Sequence, residues 1–379
     1  MTVVQDPTPL QRTDWAALAD EIGTDLRAGA AERDRTGEIS IAAFERFRRS
    51  GITAALVPAD AGGPGASHAE MGSVLRHLGR HDAATAVALS MHSHLVATQA
   101  WRHRHGMDAG AVFRKVADEH AVLVSTGASD WDASNGAATR VDGGYRVNAT
   151  KAPVSACEVG DVVVTSVRFE AGPDGPKVLH CSVPLRADGV SILRTWDTLG
   201  LRATGSHTVV LDDVFVPDAA VSMVRPADGW PPILNAVIGA ALPLILAAYL
   251  GVADAAVEVA RDAAGGRTES HVHQLLGEMS NAHVTAGDVV DAMFRDADDL
   301  RFEHTDAFAA RNLARKTVAA DALVATVRLA VEAVGGVGYS RACELERHYR
   351  DVLGVTFHPL PRAKQTRFTG RVAAGLSPI

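Results

Sequence analysis

Sixteen histidines in a chain of 379 residues are its most evident means of moving protons near neutrality, because a free imidazole titrates at about pH 6.5. His92 and His94 share the run LSMHSHLV, His103 and His105 the run RHRHG, and His358 stands in TFHPLP. The two His-x-His pairs raise a zinc question. Both lie in helical patterns, where i and i+2 point to different faces, so neither pair chelates and no metal is expected. A second chemistry comes from small residues. In LVSTGASDWDASNG, residues 123–136, Thr126, Gly127, Ala128 and Ser129 offer hydroxyls and backbone amides unobstructed by bulky side chains, as an anion-binding nest requires. The plainer reading is a solvent turn after a strand. Ser155 by itself reads as a strand-end serine, and Gly335-Gly336 as a helix C-cap. Cys157, Cys181 and Cys343 are too few and too scattered for a disulfide framework or a Cys-x-x-Cys zinc site, which fits a reducing cytoplasm.

These residues must be held by three kinds of segment. Up to about residue 120, apolar positions recur at helical spacing through TDWAALADEIGTDLRAGAAERD, IAAFERFRRSG and AEMGSVLRHLGRHD, broken by PADAGGPGAS. From Ala121 the pattern changes to six short β-rich runs separated by turns: AVLVST, GGYRVNAT, DVVVTSVRF, VLHCSV, GVSILRTW and HTVVLDDVFVP. After Gly229 four long helical patterns return, joined by short loops, which argues for an antiparallel bundle. Residues 233–252 carry no charge and approach membrane-spanning length. Pro243 and Gly251 interrupt them and Asp254, Glu258 and Arg261 follow at once, so a buried bundle helix is expected. The N-terminus has no apolar core of a signal peptide. With 37 basic against 45 acidic residues and a net charge of -8, no basic stripe exists to hold nucleic acid or an anionic membrane.

The joints of this α, β, α order sharpen it. LGLRATGSHTVVLDDVFVP, residues 199–217, closely resembles the segment of acyl-CoA dehydrogenases in which G-x-R-x-(S/T)-x-S leads into a strand ending V-x-V-P. VEAVGGVGYSRACELERHYRD, residues 331–351, resembles the family's Gly-Gly-x-Gly-Tyr followed by E-R-x-x-R-D. LVSTGASDWDASNG stands where the family has T-E-P-G-A-G-S-D, and YRVNATKAPVSA, residues 145–156, where it has Y-x-(I/L)-N-G-x-K and a flavin-contacting Thr or Ser. The matches fall in order over some two-thirds of the chain. The resemblance implies an α+β multidomain fold: an N-terminal all-α domain at 1–120, a middle β-domain at 121–226 and a C-terminal antiparallel four-helix bundle at 227–379. It implies FAD, with FMN as the alternative, held by Thr126, Gly127, Ser129 and Ser155, and by Gly335 and Gly336 reaching the flavin of a neighbouring subunit. A homodimer or homotetramer is then expected.

The departures from the family bear on mechanism. Dehydrogenation beside a thioester carbonyl needs a carboxylate base, in many members nine residues beyond the Arg of R-D. Here that position is Pro359. The alternative base position, ten residues before the first bundle helix's Leu-Gly, is Ala241. Of the family's R-x-x-F-G, which reaches the adenosine diphosphate of FAD, only Arg267 remains, and Pro153 replaces the aromatic near Ser155. Two histidines are left as catalytic candidates: His358 beside the lost base, and His92 on a helix resembling one that approaches the substrate cavity. Such an imidazole can move a proton or hydrogen-bond a flavin hydroperoxide; the plainer alternative is that His358 caps the turn before Pro359-Leu360-Pro361. Three functions follow: an acyl-CoA dehydrogenase-like oxidoreductase with a non-standard base, acting on an acyl-CoA and passing electrons to a partner protein; a two-component flavin monooxygenase of the same fold, fed by a separate flavin reductase and acting on a small molecule; or a non-catalytic partner subunit.

Overall fold

The computed structural model describes residues 13–127, 134–170 and 175–379. Among the described residues six helices come first: α1 (Trp15–Arg27), α2 (Ala30–Thr36), α3 (Ile41–Ser50), α4 (His68–His81), α5 (Ala83–Arg104) and α6 (Gly110–Ala117). Their starts are written in the sequence. Asp14, Ser40 and Asp82 each accept a backbone N–H three residues on, and Ser67 with Glu70 forms a reciprocal capping box.

Eight strands then form one sheet in the order β6-β7-β3-β2-β4-β5-β8, with β1 parallel to β4. They are β1 (Leu123–Ser125), β2 (Ala137–Val141), β3 (Gly144–Val154), β4 (Val162–Phe169), β5 (Lys177–Pro184), β6 (Val190–Leu193), β7 (His207–Pro217) and β8 (Val221–Pro226). The two strands beyond the six expected carry little signal. No residue of β2 is buried, and β8 is a short edge strand ending in Pro226. The long β3–β7 pairing shifts register twice, the second time between Lys151 and Val154, just before Ser155.

Five helices complete the chain: α7 (Ile233–Ala263), α8 (Ser270–Ala297), α9 (Asp306–Val334), α10 (Glu344–Val352) and α11 (Arg362–Ala373); the last was not anticipated as an element. The apolar segment is α7, and 94% of its most hydrophobic window is buried inside the fold, packed on α4, α5, α8 and α9. It is a core helix. Two glycines let α4 and α7 touch backbone to backbone. A Cβ on Gly79 would stand 2.1 Å from the Ala248 carbonyl oxygen, and one on Gly251 would stand 2.0 Å from that of Arg76. The architecture is thus mixed α+β, with helical regions on either side of a central sheet in the chain.

The two motifs that looked most specific, 199–217 and 331–351, meet in space. The Arg350 guanidinium donates to the Leu199 carbonyl at 2.9 Å, and to Asp34 of α2 and Glu346. The buried Asp351 carboxylate accepts the Leu201 N–H at 2.6 Å. Gly200 lies so close to α10 that a Cβ there would meet the Arg350 carbonyl oxygen at 2.2 Å. The clamp ties the turn before β7 to the last helices, and so fixes the sheet's hydroxyl-bearing edge against the core that holds His358.

Candidate active site

At the sheet edge, Thr126 pairs with Val154 across an antiparallel bridge, which brings Thr126 and Gly127 beside Ser155. A Cβ on Gly127 would stand 3.1 Å from Pro153 Cδ, so only a residue without a side chain leaves the ledge open. The hydroxyls are ordered. Thr204 lies 2.6 Å from the Ser206 hydroxyl and 3.0 Å from the Leu201 carbonyl, and Ser206 donates to Ser155 at 2.8 Å. A serine hydroxyl has one proton. Ser155 therefore accepts from Ser206 and keeps its own proton for an acceptor outside the chain, and its side chain is only half-buried. An outward-facing donor next to a glycine ledge is what the electron-accepting edge of a flavin needs from a protein, so the residues fit the cofactor. Ser129 lies outside the described residues.

The histidines separate by what their ring nitrogens do. His92 is buried, with Nδ1 accepting the Leu123 N–H at 3.0 Å and Nε2 donating to the Thr53 carbonyl at 2.8 Å. Both nitrogens are committed to backbone, and burial holds the ring neutral, with its pKa pushed down to about 4. No nitrogen is left to carry a proton to or from a substrate. The catalytic role expected of His92 is corrected accordingly: it pins β1 to the 3-10 turn at Thr53. His94, two positions on and on another face, donates Nδ1–H to the Ser90 carbonyl at 3.2 Å, so its Nε2 carries the lone pair.

His358 is placed differently. The residue is half-buried, and Nε2 lies 2.7 Å from the hydroxyl of Tyr249 on α7. Burial, then Lys316, then His94, push the imidazole well below its usual range, so it is neutral at physiological pH. Burial also pushes the Tyr249 phenol upward, helped by Asp351, so the phenol keeps its proton. Both groups are therefore neutral at rest and joined through a single hydrogen bond, and a proton reaches or leaves the pair only by exchange with a third group. Gly354 makes the contact feasible, since a Cβ there would stand 2.7 Å from the Tyr249 hydroxyl. Asp351 is not a substitute base, because it is 3% exposed and spends an oxygen on Leu201 N–H. Tyr249 escaped attention in the sequence; its one mark there is being the lone tyrosine in an uncharged stretch.

Gly335 and Gly336 stand at the far end of α9. Gly335 adopts φ +80°, and neither glycine has another atom within 4 Å of a Cβ position. Arg267 reaches the same end, donating to the Ala333 carbonyl at 3.1 Å and to Glu269 at 3.2 Å. Val337 and Tyr339, just beyond, are 69% and 85% exposed. Among the described residues no group of three His, Cys, Asp or Glu side chains is arranged to hold a metal ion.

Two family models match the chain, the acyl-CoA dehydrogenase N-terminal domain at residues 12–108 and C-terminal domain at 244–361, together more than half of it. The amino sugar nitrososynthase DnmZ of Streptomyces peucetius is 28% identical over 92% of this chain and 90% of its own length. A putative acyl-CoA dehydrogenase of Bacillus subtilis, YdbM, is 27% identical over 92% of this chain and 93% of its own. Among solved structures, KijD3 in complex with FMN and dTDP-3-amino-2,3,6-trideoxy-4-keto-3-methyl-D-glucose superposes with a TM-score of 0.87 at 25% identity, covering 97% of this chain and 96% of that one.

Proposed function

The chain belongs to the acyl-CoA dehydrogenase superfamily, and from that premise we propose that this flavin-dependent oxidoreductase is a monooxygenase that oxidises the nitrogen of a small amine. The observation that carries this reading is the neutral His358–Tyr249 pair, standing next to Pro359, where a dehydrogenase would present a carboxylate. Without a carboxylate, removal of a carbon-bound proton beside a thioester has no base of adequate strength, whereas an amine nitrogen already offers a lone pair. The amino sugar nitrososynthase and the amino-sugar complex among the similar proteins support nitrogen as the site of attack.

Reduced flavin, when bound, supplies the two electrons and two protons with which O2 and an amine become a hydroxylamine and water. The chain's own part is to hold and to move protons. Ser155 would donate its remaining O–H to the flavin, Thr126 and Gly127 would leave room for it, and Gly335 and Gly336 would contribute from a second copy. The hydrogen-bonded pair of His358 Nε2 and the Tyr249 hydroxyl would hold a proton for transfer to the reacting oxygen and take one back from the amine. FMN fits better than FAD, because Arg267, which would serve the adenosine half, is engaged with Glu269 and Ala333. The exposed Val337 and Tyr339 support a dimer or tetramer built through a bundle of α7 to α10. That Cys157, Cys181 and Cys343 form no disulfide supports a reducing cytoplasm, where a separate reductase would furnish reduced flavin.

The test is direct. The purified protein is given chemically reduced FMN, air and a panel of primary amines, including nucleotide-linked amino sugars, and O2 uptake and N-hydroxylated product are measured. Amine-dependent product confirms the reading. Anaerobic bleaching of bound flavin by an acyl-CoA would replace it with a dehydrogenase, and failure to bind any flavin would leave a non-catalytic partner subunit.

A further inference from the structure

A buried ammonium group normally rests on a carboxylate, because leaving it without one in a low-dielectric interior is costly. Lys316 does not. It projects from α9 with 2% of its surface exposed, and no carboxylate lies within ion-pair distance of it among the described residues. Its Nζ donates instead to two backbone carbonyls, of Thr356 and of Leu360, each at 3.3 Å. These carbonyls lie two residues before and two residues after His358.

Apart from the packing of Leu360 in the core, the segment that Lys316 grips has few hydrogen bonds of its own. After the 3-10 turn at Leu353–Thr356 it runs through Phe357 to Pro361 without regular structure, held by backbone bonds only at its ends, Phe357 N–H to the Gly354 carbonyl at 3.1 Å and Gln365 N–H to the Pro361 carbonyl at 3.0 Å. Pro359 and Pro361 have no N–H to contribute. On its other side the segment touches α7 through the His358–Tyr249 hydrogen bond. The imidazole is thus suspended between two long helices, with its backbone tied to α9 and its ring to α7. A methionine or leucine at 316 would fill the same space without the cost of a buried charge, so packing alone does not account for a lysine there.

We propose that Lys316 is a positioning residue: its ammonium clamps the carbonyls that bracket His358 and so fixes the imidazole against Tyr249 in the reactive orientation. The inference rests on the role assigned to His358 above, and two separate readouts keep the two claims apart.

The variant is Lys316→Met, in the flavin-loaded protein, with hydrogen–deuterium exchange followed in peptides covering residues 353–362 and turnover measured per bound flavin. The clamp predicts that these amides exchange at least about tenfold faster while the melting temperature holds or rises. Turnover should fall on the order of tenfold to a hundredfold, as misplacement of a reacting group does, with KM little changed. A residue serving only stability would lower the melting temperature and leave turnover per folded, flavin-bound molecule as it was. Unchanged exchange in 353–362 overturns the clamp, whatever turnover does. Faster exchange with unchanged turnover keeps the clamp and removes His358 from the reaction. Should Lys316→Met not fold, Lys316→Gln, uncharged and with a shorter reach, is read by the same two measurements.

Discussion

Acidification should destabilise this protein well before its surface carboxylates titrate, and the buried histidines set the size of the effect. His68, His92 and His94 are each at most 5% exposed, and burial pushes each from the ordinary 6.5 down to about 4. As pH falls through about 6.5 the unfolded chain takes up a proton at each of them, whereas the folded chain refuses it until about 4, so stability is lost across that window. Between about pH 7 and about pH 5 the loss is roughly 1.8 kcal/mol per histidine, or about 5.5 kcal/mol for the three. Asp351 opposes them. Burial raises its carboxyl to about 7, so the folded chain binds that proton first and regains roughly 2.3 kcal/mol over the same interval. The balance is a loss of about 3 kcal/mol, a large part of the roughly 5–15 kcal/mol that holds a typical domain folded. His348 and His358 are depressed as well and enlarge the loss. Urea unfolding followed by circular dichroism at the two pH values measures it, and His92→Gln should flatten the dependence by about one histidine's share. A midpoint that is equal or higher at the lower pH would refute the argument, and with it the claim that burial holds His92 neutral.

Four substitutions probe the site and its frame. Tyr249→Phe removes the hydroxyl that meets His358 at 2.7 Å at almost no change in volume, so turnover with supplied reduced flavin should fall at least about tenfold while folding survives. His358→Ala should likewise keep flavin binding and lower turnover by at least about tenfold; a loss of thermal stability with full specific activity would reduce His358 to a turn cap. Ser155→Ala removes the outward donor, and fluorescence titration should show flavin affinity weaker by about tenfold, one hydrogen bond's worth. Gly251→Ala sets a methyl 2.0 Å from the Arg76 carbonyl, which must push α4 off α7. The expected cost is about 2 kcal/mol or more, read from the unfolding midpoint.

What was legible in the sequence was whatever depends on neighbours along the chain. Caps such as Ser67 with Glu70, the change of period at Ala121 and the buried character of residues 233–252 are all local patterns, and each corresponds to an element in the structure. The strands that were missed, β2 and β8, have no buried face or end in proline, and so lack the alternation by which strands are read. Partnerships across the fold were not legible. Arg350 and Asp351 stood out as a motif, but nothing in their spacing says that they close on residues 199–201, some 150 positions earlier. The histidines make the point most sharply. His92, His94 and His358 are chemically the same residue, and sequence offers only their position relative to the family's motifs to rank them. The fold distinguishes them by a criterion that no spacing encodes: whether the backbone has already claimed both ring nitrogens. His92 has lost both to Leu123 and Thr53, while His358 has spent one, and on a side chain that can return the proton. A residue's capacity to react depends on which of its hydrogen bonds remain unspent, and that is a property of tertiary structure.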